Sequence, residues 1–257
     1  MIEIKDLEKS FGDNKVLKGI SSVFETGKTN LIIGQSGSGK TVLLKTLLGI
    51  HIPDSGSIIY DGRTYSGLTR DEKRELRTEI GMVFQGSALF DSMTVAENVA
   101  FPLKMFTKNH SSEIRDRVDF VLKRVNLIDA HHKLPSEISG GMQKRVAIAR
   151  AIVNKPKYLF CDEPNSGLDP NTSTLIDNLI REITEEYDIT TVINTHDMNS
   201  VMEIGDNILF LKNGVKAWQG NKDEMFITEN EAVVEFVYSS NLFKKVREAY
   251  LKDANKS

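Results

Sequence analysis

Gly34 to Thr41 read GQSGSGKT, a lysine and a hydroxyl residue at the end of a glycine-rich run. The pattern G-x-x-x-x-G-K-[ST] suits a phosphate chain. Its glycines let backbone N–H groups turn inward with no Cβ in the way, and Lys40 sets a point charge against the β and γ phosphates. The Thr41 hydroxyl can ligate Mg²⁺. Gly34, Gln35, Ser36, Gly37, Ser38, Gly39 and Val42 complete the loop and its first helical turn. A second group lies in YLFCDEP, where an apolar run ends in two carboxylates. Asp162 is placed to hold the metal, directly or through water, and Glu163 to take a proton from an attacking water, a role typically worth about 10²–10⁴-fold in rate. On their own these acids also read as a solvated strand end. Behind a phosphate loop, they point to hydrolysis of a nucleoside triphosphate.

A third group, Ser139-Gly140-Gly141, opens the stretch SGGMQKRVAIARA. Each glycine costs a helix roughly 1 kcal/mol against alanine. In return it bares N–H groups at a positive helix end, which is how a chain grips an anion. One phosphate loop binds one nucleotide, so this second grip is spare within its own subunit. The economical reading is that it faces a phosphate held by another copy, with two chains closed head to tail on two ATP molecules. A simple N-cap serine followed by a flexible pair is the other reading.

These groups need elements to hold them. IEIKDL, SSVFE and TNLIIG read as strands, the last running into the phosphate loop. KTVLLKTLLG has helical spacing through Val42, Leu43, Thr46 and Leu47 and stops at Gly49. GSIIYDGRTY and NILFLKNGVKAWQG read as hairpins turning at Asp61-Gly62 and Asn213-Gly214, and EIGMVFQ as a strand. Residues 87 to 154 read as a mostly helical lobe, with Ile114, Val118, Val121, Leu122 and Val125 on one helix face and Met142, Val146, Ala149 and Val153 on another. KYLFCDEP and ITTVINTHD are strands flanking an amphipathic helix through Leu175, Ile176, Leu179, Ile180, Ile183 and Tyr187. Strands alternating with helices imply an α/β fold with a parallel sheet covered on both faces.

The chain has 257 residues, 40% hydrophobic and 27% charged, with net charge −3 and no basic block able to track a nucleic-acid backbone. No nucleic-acid partner is expected. The lone Cys161 fits a reducing compartment and reads as core. MIEIKDLEKSFG lacks an apolar signal core, and no apolar run approaches the roughly 18 residues a membrane span needs. The expectation is a cytoplasmic chain that reaches a membrane through a partner.

ISGGMQKRVAIARA resembles the signature motif of ATP-binding cassette (ABC) ATPases, and other motifs of that family follow in order. Gln85 in MVFQ is similar to the Q-loop glutamine, which in the family touches Mg²⁺ and signals to the membrane partner. SGLD, ending at Asp169, is similar to the D-loop that crosses the dimer interface. His196 in NTHD is similar to the switch histidine that contacts the γ-phosphate, and Phe11 in KSFG sits where the family stacks a ring on adenine. The resemblance covers roughly residues 2 to 220. It implies a P-loop NTPase with a RecA-like, mainly parallel sheet, an N-terminal antiparallel β subdomain and an inserted helical subdomain near 87–154. The cassette would span 1–240, with a helical tail over 241–257. It also implies Mg-ATP bound by Phe11, the phosphate loop, Gln85, Ser139, Gly140, Gly141, Met142 and Asp169, with Mg²⁺ on Thr41, Gln85 and Asp162, and catalysis by Glu163 and His196. Two departures stand out: Ile138 and Met142 replace the usual leucine and glutamine of the signature, and Met142 has no polar group for a ribose.

FQGSALFDSMTVAENVAFPLKMF, residues 84 to 106, resembles the ATPases that serve MCE-type lipid transporters, the Mla-like group. That resemblance implies a homodimer on the inner face of the cell membrane, an integral permease contacted near Gln85 and residues 86–106, an MCE-domain lipid-binding partner, and phospholipid transport. Ala88, Leu89, Phe90, Met93, Val95 and Phe101 supply apolar surface for such a contact, and some of them serve the lobe's own core. An importer for another cargo, or a non-transporting ATPase of the cell-division type, is the alternative. NLFKKVREAYLKDANKS at the C-terminus carries five basic and two acidic side chains, which read as a solvated helix or a contact with a partner or acidic lipid.

Overall fold

The computed structural model describes residues 1–238 together with Lys244, Lys245 and Arg247; apart from those three, the tail expected over 241–257 lies outside the described residues. In chain order the elements are β1 (Ile2–Phe11), β2 (Asn14–Phe24), β3 (Thr29–Ile33), α1 (Lys40–Leu47), β4 (Ser55–Tyr60), β5 (Arg63–Thr64), α2 (Arg70–Thr78), β6 (Ile80–Val83), α3 (Val95–Phe106) and α4 (Ser111–Arg124). They continue with α5 (Gly140–Ile152), β7 (Tyr158–Asp162), α6 (Pro170–Tyr187), β8 (Thr190–Asn194), α7 (Met198–Ile204), β9 (Asn207–Lys212), β10 (Val215–Gly220), α8 (Lys222–Ile227) and α9 (Glu231–Val237). The chain divides into two compact units, one formed by 1–25, 29–67 and the residues from 194 onward, the other by 26–28 and 68–193.

The first unit contains an antiparallel sheet of order β2-β1-β4-β5. Ile2 and Ile4 of β1 are buried on alternate positions, and the next buried apolar residue is Leu7, one residue out of phase. A register shift between Ile4 and Leu7, with Asp6 at φ 48°, inserts the extra residue that returns Leu7 to the core face. Asp61-Gly62 and Asn213-Gly214 turn their hairpins with positive φ at both positions, 45° and 79° in one and 53° and 81° in the other, which matches the right-handed twist of the strands. In the same unit β3 runs parallel to β9, and β9 pairs antiparallel with β10. All five residues of β3 are buried, as a strand covered on both faces requires.

In the second unit β8, β7 and β6 are neighbours in that order, with β6 and β7 parallel. Residues 87–154 hold α3, α4 and α5. Helix α5 is the centre of this unit: Val146, Ala147, Ile148, Ala149 and Ile152 are all fully buried, and it packs on α3, α4, α6 and β6. Gly81 lets β6 approach it, because a Cβ there would lie 2.4 Å from the Ala151 carbonyl oxygen. Thr94 and Glu97 close a capping box at the start of α3. Several elements depart from the sequence reading, among them α2 and α6, while β2 starts at Asn14 and neither α7 nor α8 is anticipated. Helix α2 is so polar that Leu76 is its one buried residue, so no apolar period announced it. Leu175, read as part of the buried stripe of α6, is 68% exposed, while Ile176, Ile180 and Ile183 carry the burial.

Candidate functional site

In the first unit, β3 delivers the chain into the glycine loop at Gly34. A Cβ there would lie 2.2 Å from the Leu211 carbonyl oxygen and 2.7 Å from Ser38 Oγ, so only glycine fits. Gly37 and Gly39 take φ of 81° and 103°, and Gly39 caps α1. The turn closes with a 3.1 Å bond from Ser38 N–H to the Gln35 carbonyl. Lys40 is 8% exposed, and its ammonium folds back over the loop to donate to the Gly34 and Gln35 carbonyls at 2.8 and 3.1 Å. Gln35, Ser36 and Gly37 are exposed, Ser38 and Gly39 buried, and Val42 half-buried. Thr41 is exposed, and its hydroxyl oxygen accepts from the Asn194 side-chain amide at 3.3 Å. Phe11 is 46% exposed at the tip of the β1–β2 hairpin, with His51 edge-on at 5.2 Å and Lys9 5.4 Å from its centroid. His196 is exposed on the turn between β8 and α7.

The second unit brings together residues far apart in the chain. Strand β7 ends at Asp162, and Glu163 follows with φ 47°, a left-handed conformation that β-carbon residues adopt at a cost. The Gln85 amide donates to Glu163 Oε2 at 2.9 Å and to Ser166 Oγ at 3.4 Å. From below, the Lys144 ammonium donates to the Gln85 carbonyl. Lys144 is 5% exposed; burial pushes its pKa below the usual lysine value, while the nearby Glu163 carboxylate works against that. Cys161 sits fully buried mid-strand, its thiol pKa pushed far up by desolvation, so it behaves as core. The same strand end is braced by Asn165, which donates to Asp177 at 3.2 Å.

Ser139 caps α5, its hydroxyl oxygen accepting from Met142 N–H at 3.3 Å. The two glycines after it differ. At Gly140 a Cβ would make ordinary contact, 3.8 Å from Leu168; at Gly141 it would lie 2.7 Å from the Thr172 methyl. Gly141 therefore has a packing reason as well as any role toward an anion. Ile138 is 8% exposed, so the residue at this position is buried and apolar. Asp169 caps α6, accepting from Thr172 N–H at 3.1 Å and from its hydroxyl at 2.5 Å, and these bonds hold its carboxyl below the usual range.

A groove of about 440 Å³ opens beside the Gln85 loop, lined among others by Met82, Phe84, Phe90, Phe101, Met105 and Phe106. Phe84, Phe90, Met105 and Phe106 are 40–56% exposed, whereas Val95 belongs to the core. Lys144 and Arg150 are the site-region residues that sequence reading passed over. A lysine among the apolar residues that α5 buries was the available signal.

A glycine loop feeding a helix from a buried parallel strand, with a carboxylate pair ending another buried strand, defines a P-loop NTPase. Residues 17–166 match the family described as ABC transporter, and the chain belongs to that family as an ATP-binding ABC ATPase. It is 41% identical over 235 residues to the probable ribonucleotide transport ATP-binding protein mkl of Mycobacterium leprae, covering 91% of this chain and 67% of that one. It is 38% identical to the chloroplastic protein trigalactosyldiacylglycerol 3 of Arabidopsis thaliana, covering 93% and 74%. To the methionine import ATP-binding protein MetN of Clostridium acetobutylicum it is also 38% identical, covering 94% and 75%. The chain spans about two thirds of the length of its mycobacterial relatives. Among solved structures, a bacterial ABC transporter cassette in dimeric form matches with TM-score 0.78 and 33% identity, covering 86% of this chain and 99% of that one. The same cassette, dimeric in a post-hydrolysis state bound to ADP and phosphate, matches with TM-score 0.77.

Proposed function

We propose that two copies of this chain close on two Mg-ATP and hydrolyse them to drive an integral membrane permease, working on the cytoplasmic face of a cell membrane in phospholipid transport. The observation that carries the hydrolytic part is the 2.9 Å bond from Gln85 to Glu163, which joins the sensor loop to the carboxylate at the strand end. The loop Gly34–Thr41 and Val42 grip the triphosphate, with Lys40 turning from the loop carbonyls to phosphate oxygens, and Phe11 stacks on the adenine. Glu163 accepts a proton as water oxygen bonds to the γ-phosphorus; the bond from that phosphorus to the β–γ bridging oxygen breaks, its electrons leaving with ADP. His196 contacts the γ-phosphate. Ser139, Gly140, Gly141, Met142 and Asp169 of the second copy complete the enclosure, a reading supported by the dimeric state of the similar cassette.

Thr41, Gln85 and Asp162 present a hydroxyl, an amide carbonyl and a carboxylate, the hard oxygen donors that suit Mg²⁺, which when bound neutralises phosphate charge. With Gln85 Nε2 occupied by Glu163, its Oε1 is the atom left for a cation.

The groove beside Gln85 is the place for the permease. Its apolar floor with exposed Phe and Met rims suits one short amphipathic helix. Among the described residues no helix is long and apolar enough to cross a membrane, so the membrane-spanning part is assigned to that partner. Phospholipid cargo and an MCE-domain partner rest on the resemblance of residues 84–106, supported by the relative named for a galactolipid. The similarity to a methionine import protein supports a second reading, an amino-acid importer. Purification of the chain with its partners from native membranes separates the two. A permease with an MCE-domain protein and bound phospholipid supports the first reading, and a permease with an amino-acid-binding protein replaces it with the second.

A further inference from the structure

Helix α5 grips the loop after β6 at two points. Near its start, Lys144 donates to the carbonyl of Gln85. Six residues on, about 9 Å along the axis, the Arg150 guanidinium donates to the carbonyls of Ala88 and Ser87 at 2.7 and 2.6 Å. Ser87 and Ala88 are consecutive non-glycine residues at φ 61° and 48°, a strained pair that persists where its surroundings hold it. Both grips are cation-to-carbonyl bonds, stronger than neutral ones. Lys144 itself is 5% exposed, so its stem and ammonium are largely withdrawn from water.

The loop so held carries the Gln85 side chain on Glu163. Two hydrogen bonds, joined through the covalent frame of Gln85, therefore connect helix α5, which begins at Ser139, to the Glu163 carboxylate. Every link lies in one compact unit. A lysine that only filled space at this depth would desolvate an ammonium for nothing; a methionine would pack there without that cost.

We propose that Lys144 is a positioning residue: it ties the backbone of Gln85 to α5, so that a shift at the Ser139 end of the helix is delivered to the Gln85–Glu163 hydrogen bond. Arg150 is the second anchor of the same loop. This rests on the reading of Glu163 as the catalytic base.

The test compares Lys144→Met, which keeps the stem and removes the donor, with Lys144→Arg, which restores a cation, and with Glu163→Gln. Steady-state ATP hydrolysis gives kcat and KM, and a fluorescent ATP analogue gives Kd. Lys144→Met should lower kcat on the order of tenfold to hundredfold, the effect of a small misplacement of a catalytic group. Nucleotide Kd should stay within about twofold, since the phosphate loop belongs to the other unit. Lys144→Arg should recover most of the loss. A wild-type kcat for Lys144→Met beside an inactive Glu163→Gln would overturn the inference and leave the functional reading standing. A joint fall of kcat, Kd and unfolding temperature without rescue by arginine would reduce Lys144 to a packing residue and also overturn it. Normal turnover by Glu163→Gln would sink the functional reading itself. If Lys144→Met does not fold, Lys144→Gln, polar and shorter, is read by the same criteria.

Discussion

The side-chain amide of Gln85 and the carboxylate of Glu163, 78 positions apart in the chain, meet at 2.9 Å. One is exposed on the loop after β6, next to Phe84, which lines an apolar groove; the other follows a buried strand in a left-handed conformation. Under the proposed docking of a permease helix in that groove, Phe84 and Gln85 would connect the docked helix to the carboxylate proposed to activate water.

Glu163→Gln keeps the size of the side chain and the contact with Gln85 but removes the proton acceptor. Phosphate release should fall about 10²–10⁴-fold, with ATP binding retained. Trapped, ATP-bound dimers should then accumulate in size-exclusion chromatography. Turnover at the parental rate would remove Glu163 from the mechanism.

Lys40→Ala deletes a cation that is 8% exposed and bonded to two loop carbonyls. A hydrogen bond to a charged group is worth about 1.5–3 kcal/mol, so ATP should bind roughly ten- to a hundredfold more weakly. Titration with a fluorescent ATP analogue reads this directly, and unchanged affinity would contradict the phosphate-loop assignment.

The signature glycines should separate in a pair of alanine variants. Gly141→Ala places a methyl 2.7 Å from Thr172, and should cost about 1–3 kcal/mol of stability. Gly140→Ala meets only Leu168 at 3.8 Å and should leave the unfolding temperature unchanged or slightly raised. It should still slow hydrolysis, because the added Cβ stands on the face assigned to the second copy's phosphate. Equal thermal shifts in the two variants would contradict the packing argument.

Acid should loosen α2 and α3 through their capping boxes. The Thr94 backbone N–H, then its hydroxyl, hold Glu97 below the usual 4.5; at Glu72 the Thr69 hydroxyl leads and its backbone N–H follows. A carboxyl whose folded pKa is depressed stabilises above its unfolded value and loses that contribution as pH falls through the folded one. The unfolding temperature should therefore decline as pH is lowered past about 4. A Glu72→Ala, Glu97→Ala double variant should show a shallower decline in thermal melts taken across that range.

Local pattern made much of this protein legible. GQSGSGKT reads as a phosphate loop because its chemistry lies within eight consecutive residues, and the alternation of buried strands with amphipathic helices announced the α/β fold. Both Asn-Gly and Asp-Gly hairpins were readable because φ > 0 is a property of the residue types themselves. Helix α2 escaped because it buries almost nothing, and Leu175 was misplaced because the apolar stripe of α6 is wider than the face that α6 covers.

The carboxylates, the glutamine and the signature serine could be named from their types and their order. Which of them touch, and what holds them, was decided by tertiary structure. Lys144 reaches Gln85 across 59 positions and Arg150 reaches Ala88 across 62, contacts set by how α5 lies against β6. Gly141 is glycine because α6 passes within reach of its missing Cβ. Residue type and short-range spacing carry the chemistry available to a chain, whereas the direction of a buried cation depends on packing between segments that only folding brings together.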